Sequence, residues 1–203
     1  DGRVALVTEL IEGDDLDRCI QGSDRISIPA LLQVVAQVAD AHDAAVNAPG
    51  PDGPLKLVHR DVKPSNIRIG RHGQVKLLDF GIARAADEAS ITQHGMLVGT
   101  VLYMSPEQVR GDDLDSRSDI FSLGATMYEI CLGRPENLPE NGQEWQDIRH
   151  GKLLPMPNTA IELQMIVWEM MAPEWITGPS ADKLLKRRQL LSDEQQQLIV
   201  ERN

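Results

Sequence analysis

Residues 59–66 read His59-Arg60-Asp61-Val62-Lys63-Pro64-Ser65-Asn66, and Asp79-Phe80-Gly81 follows, 79 − 61 = 18 positions separating the two aspartates. A carboxylate such as Asp61 can take the proton of an incoming hydroxyl. Asn66 and Asp79 carry the hard oxygen atoms that Mg²⁺ prefers. Lys63 lies two positions after Asp61, where an ammonium can offset negative charge building on a transferred phosphoryl group. Base, cation and metal ligands in this order make up a phosphoryl-transfer signature.

These groups can act together only if rigid elements hold them. Residues 67–69 and 75–78 are apolar or alternating around the turn Arg71-His72-Gly73, which predicts a β-hairpin with Asn66 at one end and Asp79 at the other. Upstream, Leu31, Leu32, Val34, Val35, Val38, Ala39 and His42 recur at helical spacing after Pro29, predicting a long helix to Val46 behind the loop. A Pro/Gly run over 48–54 ends it before a strand-like 55–58. A short helix is expected over 15–21, stopped by Gly22. Between 116 and 132 apolar residues fall on nearly every side, which marks a helix for the centre of a globule. Further helices are expected over about 160–171 and 179–190, and residues 192–203 read as a polar tail.

A run closing on Gly99-Thr100, Tyr103 and Ser105-Pro106-Glu107 follows, and Asp119-Ile120-Phe121-Ser122-Leu123-Gly124 lies beyond it. With these motifs in order, the chain resembles the catalytic domain of eukaryotic-type Ser/Thr protein kinases, in its bacterial branch, Lys63 being the Ser/Thr form of the loop. The resemblance implies a mainly α fold: a kinase C-terminal lobe with a small β-hairpin at its active site, the N-terminal lobe missing apart from its last strand. ATP and Mg²⁺ are the implied cofactors, and Ser or Thr hydroxyls of a protein substrate the implied acceptors. Residues 1–13 resemble that last strand and the interlobe hinge, with Thr8 as gatekeeper and the backbone of Glu9 and Ile11 facing the adenine edge. Residues 14–191 are then the lobe itself. The chain opens on Asp1 rather than Met, so the expectation is a fragment whose small lobe belongs to the same polypeptide and without which it is inactive.

The same resemblance assigns roles. Asp61, Lys63, Asn66 and Thr100 are catalytic, Thr100 by bonding Asp61 and Lys63. Lys63, Asn66 and Asp79 meet the nucleotide, and Asn66 and Asp79 bind the metal. Arg60 is expected to pair with a phosphate on Ser90 or Thr92. His59, Phe80 and Gly81 are structural, His59 through packing and backbone bonding and Phe80 through packing beside Asp79. Asp119 anchors the backbone around His59 and Arg60, and Glu107 pairs with an arginine in the family. Two positions depart from the pattern: Arg68 stands where an apolar floor meets adenine, and Gly178 where that arginine stands. The segment 137–153, with Trp145, is similar to the Wee family of mitotic-inhibitor kinases and implies architecture there but no substrate.

The chain of 203 residues carries a formal net charge of −11, so nucleic acid and anionic membranes are not expected partners. No stretch approaches the roughly 20 apolar residues that span a bilayer. Cys19 and Cys131 form no Cys-x-x-Cys pair, which argues against zinc and a disulfide framework and predicts a reducing, cytoplasmic setting. The acidic run Asp112, Asp113, Asp115 reads as a solvated loop. An alternative class is a non-catalytic kinase-like binding module that docks a partner around Trp145. Arg68, Gly178 and the missing lobe motivate it, while intact Asp61, Asn66 and Asp79 weigh against it.

Overall fold

A computed structural model describes residues 7–21, 26–80, 102–133, 142–156 and 159–172. The described chain is mainly helical with two small antiparallel sheets.

Its centre is a helix that is apolar on almost every side. In Ser116–Leu132, 13 of 17 residues are buried. Two of its buried hydroxyls are satisfied within the helix, Ser122 Oγ donating to Ser118 O at 3.0 Å and Thr126 Oγ1 to Ser122 O at 3.1 Å, so burial leaves neither donor orphaned. Asp115 caps it, accepting the Arg117 amide at 2.8 Å. Asp115 is therefore no idle loop charge: burial pushes its carboxyl up, but the bonds from Arg117 outweigh this and hold it below its ordinary value.

Ile28–Val46 packs on this helix through Leu31, Val34, Val35, Val38, Ala39 and His42. It begins where Ser27 accepts the Ala30 amide at 3.4 Å and Pro29 fills the first turn. We number the helices α1 (Leu16–Gln21), α2 (Ile28–Val46), α3 (Pro106–Arg110), α4 (Ser116–Leu132), α5 (Gly142–Arg149) and α6 (Ile161–Met170). Gly124 lets α6 approach α4: a Cβ there would lie 2.8 Å from Met170 Cβ.

The strands are β1 (Gly13–Asp15), β2 (Pro49–Gly50), β3 (Gly53–Pro54), β4 (Ile67–Gly70) and β5 (Val75–Leu77). The larger sheet has the order β1-β4-β5, with Asp15 opposite Arg68 and Ile67 opposite Leu77. Gly13 is required at its edge, since a Cβ would lie 2.0 Å from Ile69 O. Gln37 of α2 clips the β4–β5 turn from behind, donating to Gly73 O at 3.1 Å and accepting the Val75 amide at 2.9 Å.

Residues 1–6, where the strand before the hinge is expected, lie outside the described residues; after them, extended pairing starts at Gly13, and Glu9 and Glu12 meet the hairpin through Lys76 at 3.0 Å and Arg71 at 3.3 Å. One expectation is corrected. Residues 55–58 form no strand because Lys56 has φ +50°, which breaks an extended run. The Pro/Gly loop instead contains the small β2–β3 pair. Gly22, Gly178, the helix expected over 179–190 and the tail lie outside the described residues.

Candidate active site

Asp61 sits in a loop whose backbone is tied to the centre of the fold. Asp119, 2 % exposed on α4, accepts the His59 amide on Oδ2 at 2.7 Å and the Arg60 amide on Oδ1 at 2.8 Å. These bonds set Arg60 at φ +68°, a left-handed conformation uncommon for a side chain of this size. His42 of α2 places Nε2 3.4 Å from Asp119 Oδ2. In sequence, His42 reads as a core residue of α2, a polar ring on an apolar stripe.

His59 is fully buried. Its Nδ1 accepts the Asp61 amide at 3.3 Å, so Nε2 carries the proton and donates to Leu78 O at 2.8 Å. Burial lowers its pKa, with the Leu78 bond and nearby aspartates pulling the other way. The ring therefore links the Asp61 loop to the hairpin, and Phe80 stacks on it at a tilt, centroids 4.6 Å apart.

The reacting groups are close together. Lys63 Nζ lies 2.9 Å from Asp61 Oδ2. Asn66 Nδ2 donates to Asp61 O at 2.8 Å and to Asp61 Oδ2 at 2.9 Å, which leaves the Asn66 side-chain oxygen as its acceptor end. The Leu78 amide donates to Asn66 O at 2.8 Å, so Asp79 leaves the ribbon beside Asn66. Asp79 is exposed and has φ +53°. One amide oxygen and one exposed carboxylate are a donor set that fits Mg²⁺, which takes few protein ligands and completes its shell with water and phosphate. Among the described residues no cluster of three His, Cys, Asp or Glu residues suits a more fully caged ion.

The 9–15 segment is tied to the same sheet. Ile11 O accepts Arg68 Nε at 3.2 Å, and Arg68 Nη1 pairs with Asp15 at 2.9 Å. Arg68 is thus turned toward the 9–15 segment and held half-buried. A cleft of about 250 Å³ is lined by residues 9–12 with Arg71, His72, Gln74 and Lys76; Asp61 does not line it.

Glu107 is buried, and Ser118 Oγ donates to it at 2.5 Å. Its charge also helps raise the Arg117 pKa, after the Asp115 bond that dominates it. Among the described residues, the Ser118 hydroxyl thus serves this carboxylate. Gly81, Ser90, Thr92 and Thr100 lie outside the described residues.

Sequence reading did not single out two polar contacts near residues 102–108. Gln108 reaches the loop, Nε2 donating to Arg60 O at 2.8 Å. Arg149 of α5, 5 % exposed, donates Nε to Met104 O at 3.0 Å. For Gln108 the legible signal was its place as the third residue of a helix after Ser105, where a capping box forms.

A family model described as the protein kinase domain matches residues 1–201. Serine/threonine-protein kinase PknA of Mycobacterium tuberculosis is 44 % identical over 135 residues, covering 66 % of this chain and 30 % of that protein. PknB of Mycobacterium leprae is 39 % identical over 173 residues, 82 % of this chain and 27 % of its own length. PknL of Mycobacterium tuberculosis is 45 % identical over 128 residues, 63 % of this chain and 30 % of that protein. The chain therefore spans less than a third of the curated relatives it matches.

Proposed function

The chain belongs to the protein kinase family, and on that premise we propose that the protein it forms part of is a serine/threonine kinase that transfers the γ-phosphoryl group of ATP to protein hydroxyls. One observation carries this reading: the Asp61 carboxylate lies 2.9 Å from both Lys63 Nζ and Asn66 Nδ2, on a loop fixed by Asp119. Asp61 orients the acceptor hydroxyl and takes its proton as the oxygen bonds phosphorus and the β–γ bridging bond breaks. Lys63 steadies the charge of the group in transit. Asn66 and Asp79 are the residues to hold Mg²⁺, which supplies charge neutralisation on the phosphates when bound. Thr100 orders Asp61 and Lys63, and a phosphate on Ser90 or Thr92 engages Arg60 beside them.

Residues 14–191 in this reading are the C-terminal lobe, and residues 1–13 the passage from an N-terminal lobe of the same polypeptide. Val7 and Leu10 support it: they are 92 % and 90 % exposed, apolar surface suited to a neighbour. Glu9 and Ile11 present their backbone to adenine there. The Wee likeness of 137–153 is kept as architecture, supported by the helix α5. The setting is cytoplasmic, supported by two free cysteines.

The test is Mg-ATP turnover on a generic Ser/Thr substrate, assaying the upstream-extended gene product beside this 203-residue chain. Turnover by the extended protein alone is expected, because positioning of the phosphates supplies most of the catalysis in this reaction. Inactivity of both overturns the assignment and favours the binding-module class.

A further inference from the structure

Gln108 is the third residue of α3, and its side chain uses both ends. Its Oε1 accepts the Ser105 amide at 2.9 Å while the Gln108 amide donates to Ser105 Oγ at 3.3 Å, a complete capping box. Its Nε2 donates to Arg60 O at 2.8 Å. A glutamate in this place would make the same box. Capping alone therefore does not call for glutamine; the bond to Arg60 does, because a carboxylate cannot donate it.

Arg60 is the residue whose backbone needs holding. It is left-handed at φ +68° and immediately precedes Asp61. Its amide is taken by Asp119 at 2.8 Å, and its carbonyl is where Gln108 arrives. The two peptides that flank the Arg60 Cα are thus each held, the one before it by α4 and the one that leads into Asp61 by α3. We propose that Gln108 is a positioning residue for the phosphoryl-transfer reaction, holding the Arg60 carbonyl so that the Asp61 carboxylate keeps its aim. This rests on the kinase reading of Asp61 and adds a residue outside the loop itself.

Two substitutions separate positioning from capping. Gln108→Glu keeps the whole box and loses the donor to Arg60; Gln108→Met loses that donor and the side-chain half of the box, keeping the backbone bond to Ser105 Oγ. In the upstream-extended protein, Gln108→Glu is expected to lower kcat about tenfold, with KM for ATP within twofold and the thermal midpoint unchanged, the loss expected for one hydrogen bond. Gln108→Met lowers kcat to a similar extent and the midpoint as well. Wild-type kcat in Gln108→Glu, or a midpoint loss in Gln108→Met without loss of kcat, overturns the proposal. Asp61→Asn in the same assay tells the two readings apart. If Asp61→Asn is inactive and Gln108→Glu is not impaired, the positioning role alone fails; if Asp61→Asn turns over normally, the kinase assignment of Asp61 fails. A readout independent of turnover comes from amide exchange of the 203-residue chain. The Asp61 amide is expected to exchange about tenfold faster in Gln108→Glu, with α4 unchanged; equal Asp61 exchange overturns the proposal.

Discussion

Asp61 Oδ2 receives Lys63 Nζ and Asn66 Nδ2 at 2.9 Å each, so two donors fix the direction of the carboxylate. Asp61→Asn keeps the volume and removes the proton acceptor. In the upstream-extended protein kcat should fall by roughly 10²–10⁴, KM for ATP changing little; phosphorylation at the wild-type rate would refute the role. Arg68 poses a different question. Its guanidinium is ion-paired with Asp15 at 2.9 Å and bonded to Ile11 O at 3.2 Å, so it staples β4 to the segment proposed above to meet adenine. A leucine there offers an apolar surface in place of that staple. For Arg68→Leu the expected outcome is a several-fold lower KM for ATP, with stability reduced by no more than about 1 kcal/mol because the pair is only half-buried. A raised KM would show that the guanidinium itself serves the purine.

Helices were legible where their periodicity was long. The apolar stripe of α2 and the all-round apolarity of α4 gave their positions within a residue or two, since burial of that pattern is possible in only one way. The β4–β5 hairpin was legible from its turn, and with it the placing of Asn66 beside Asp79. A strand was misread at 55–58 because pairing depends on a neighbour and on backbone angles such as the φ +50° of Lys56, which composition does not announce. Gln108 and Arg149 escaped notice for a related reason: each acts through a backbone carbonyl far away in sequence. The contact of α4 with α6 offers a test of packing. At Gly124 an added methyl meets Met170 Cβ at 2.8 Å and Met171 Cγ at 2.9 Å. Alanine gains about 1 kcal/mol in helix propensity but overpacking costs about 1–3 kcal/mol, and Met170 Cβ cannot move without its backbone. Gly124→Ala should therefore lose about 1 kcal/mol in urea denaturation; a stabilised variant would show that α6 can yield.

Taken whole, the molecule should be most stable near neutral pH. Burial lowers the His59 pKa, so its contribution is complete above the ordinary histidine value of about 6.5 and is lost as pH falls through the folded value. At the other end, burial pushes the Cys131 thiol up to about 11, and burial with the Glu129 charge raises Tyr103. Raised groups contribute fully below their ordinary values, and that contribution is lost as pH rises through the folded ones. Urea midpoints should fall from pH 7 toward 5.5 and again above about pH 9. Glu129, raised by burial, opposes the acid trend, and His59→Gln isolates the imidazole by flattening it. A midpoint in the wild type that rises steadily toward acid would contradict this account. The seat of Asp119 has one more consequence. The carboxylate that shapes the Asp61 loop belongs to the most deeply buried helix of the described chain, so melting of that helix must release the loop with it. Heat inactivation and unfolding of the extended protein should trace one curve. Whatever turns such a protein off must then act on what comes to Asp61, or on the few bonds from α3 and α4 that hold the loop in place.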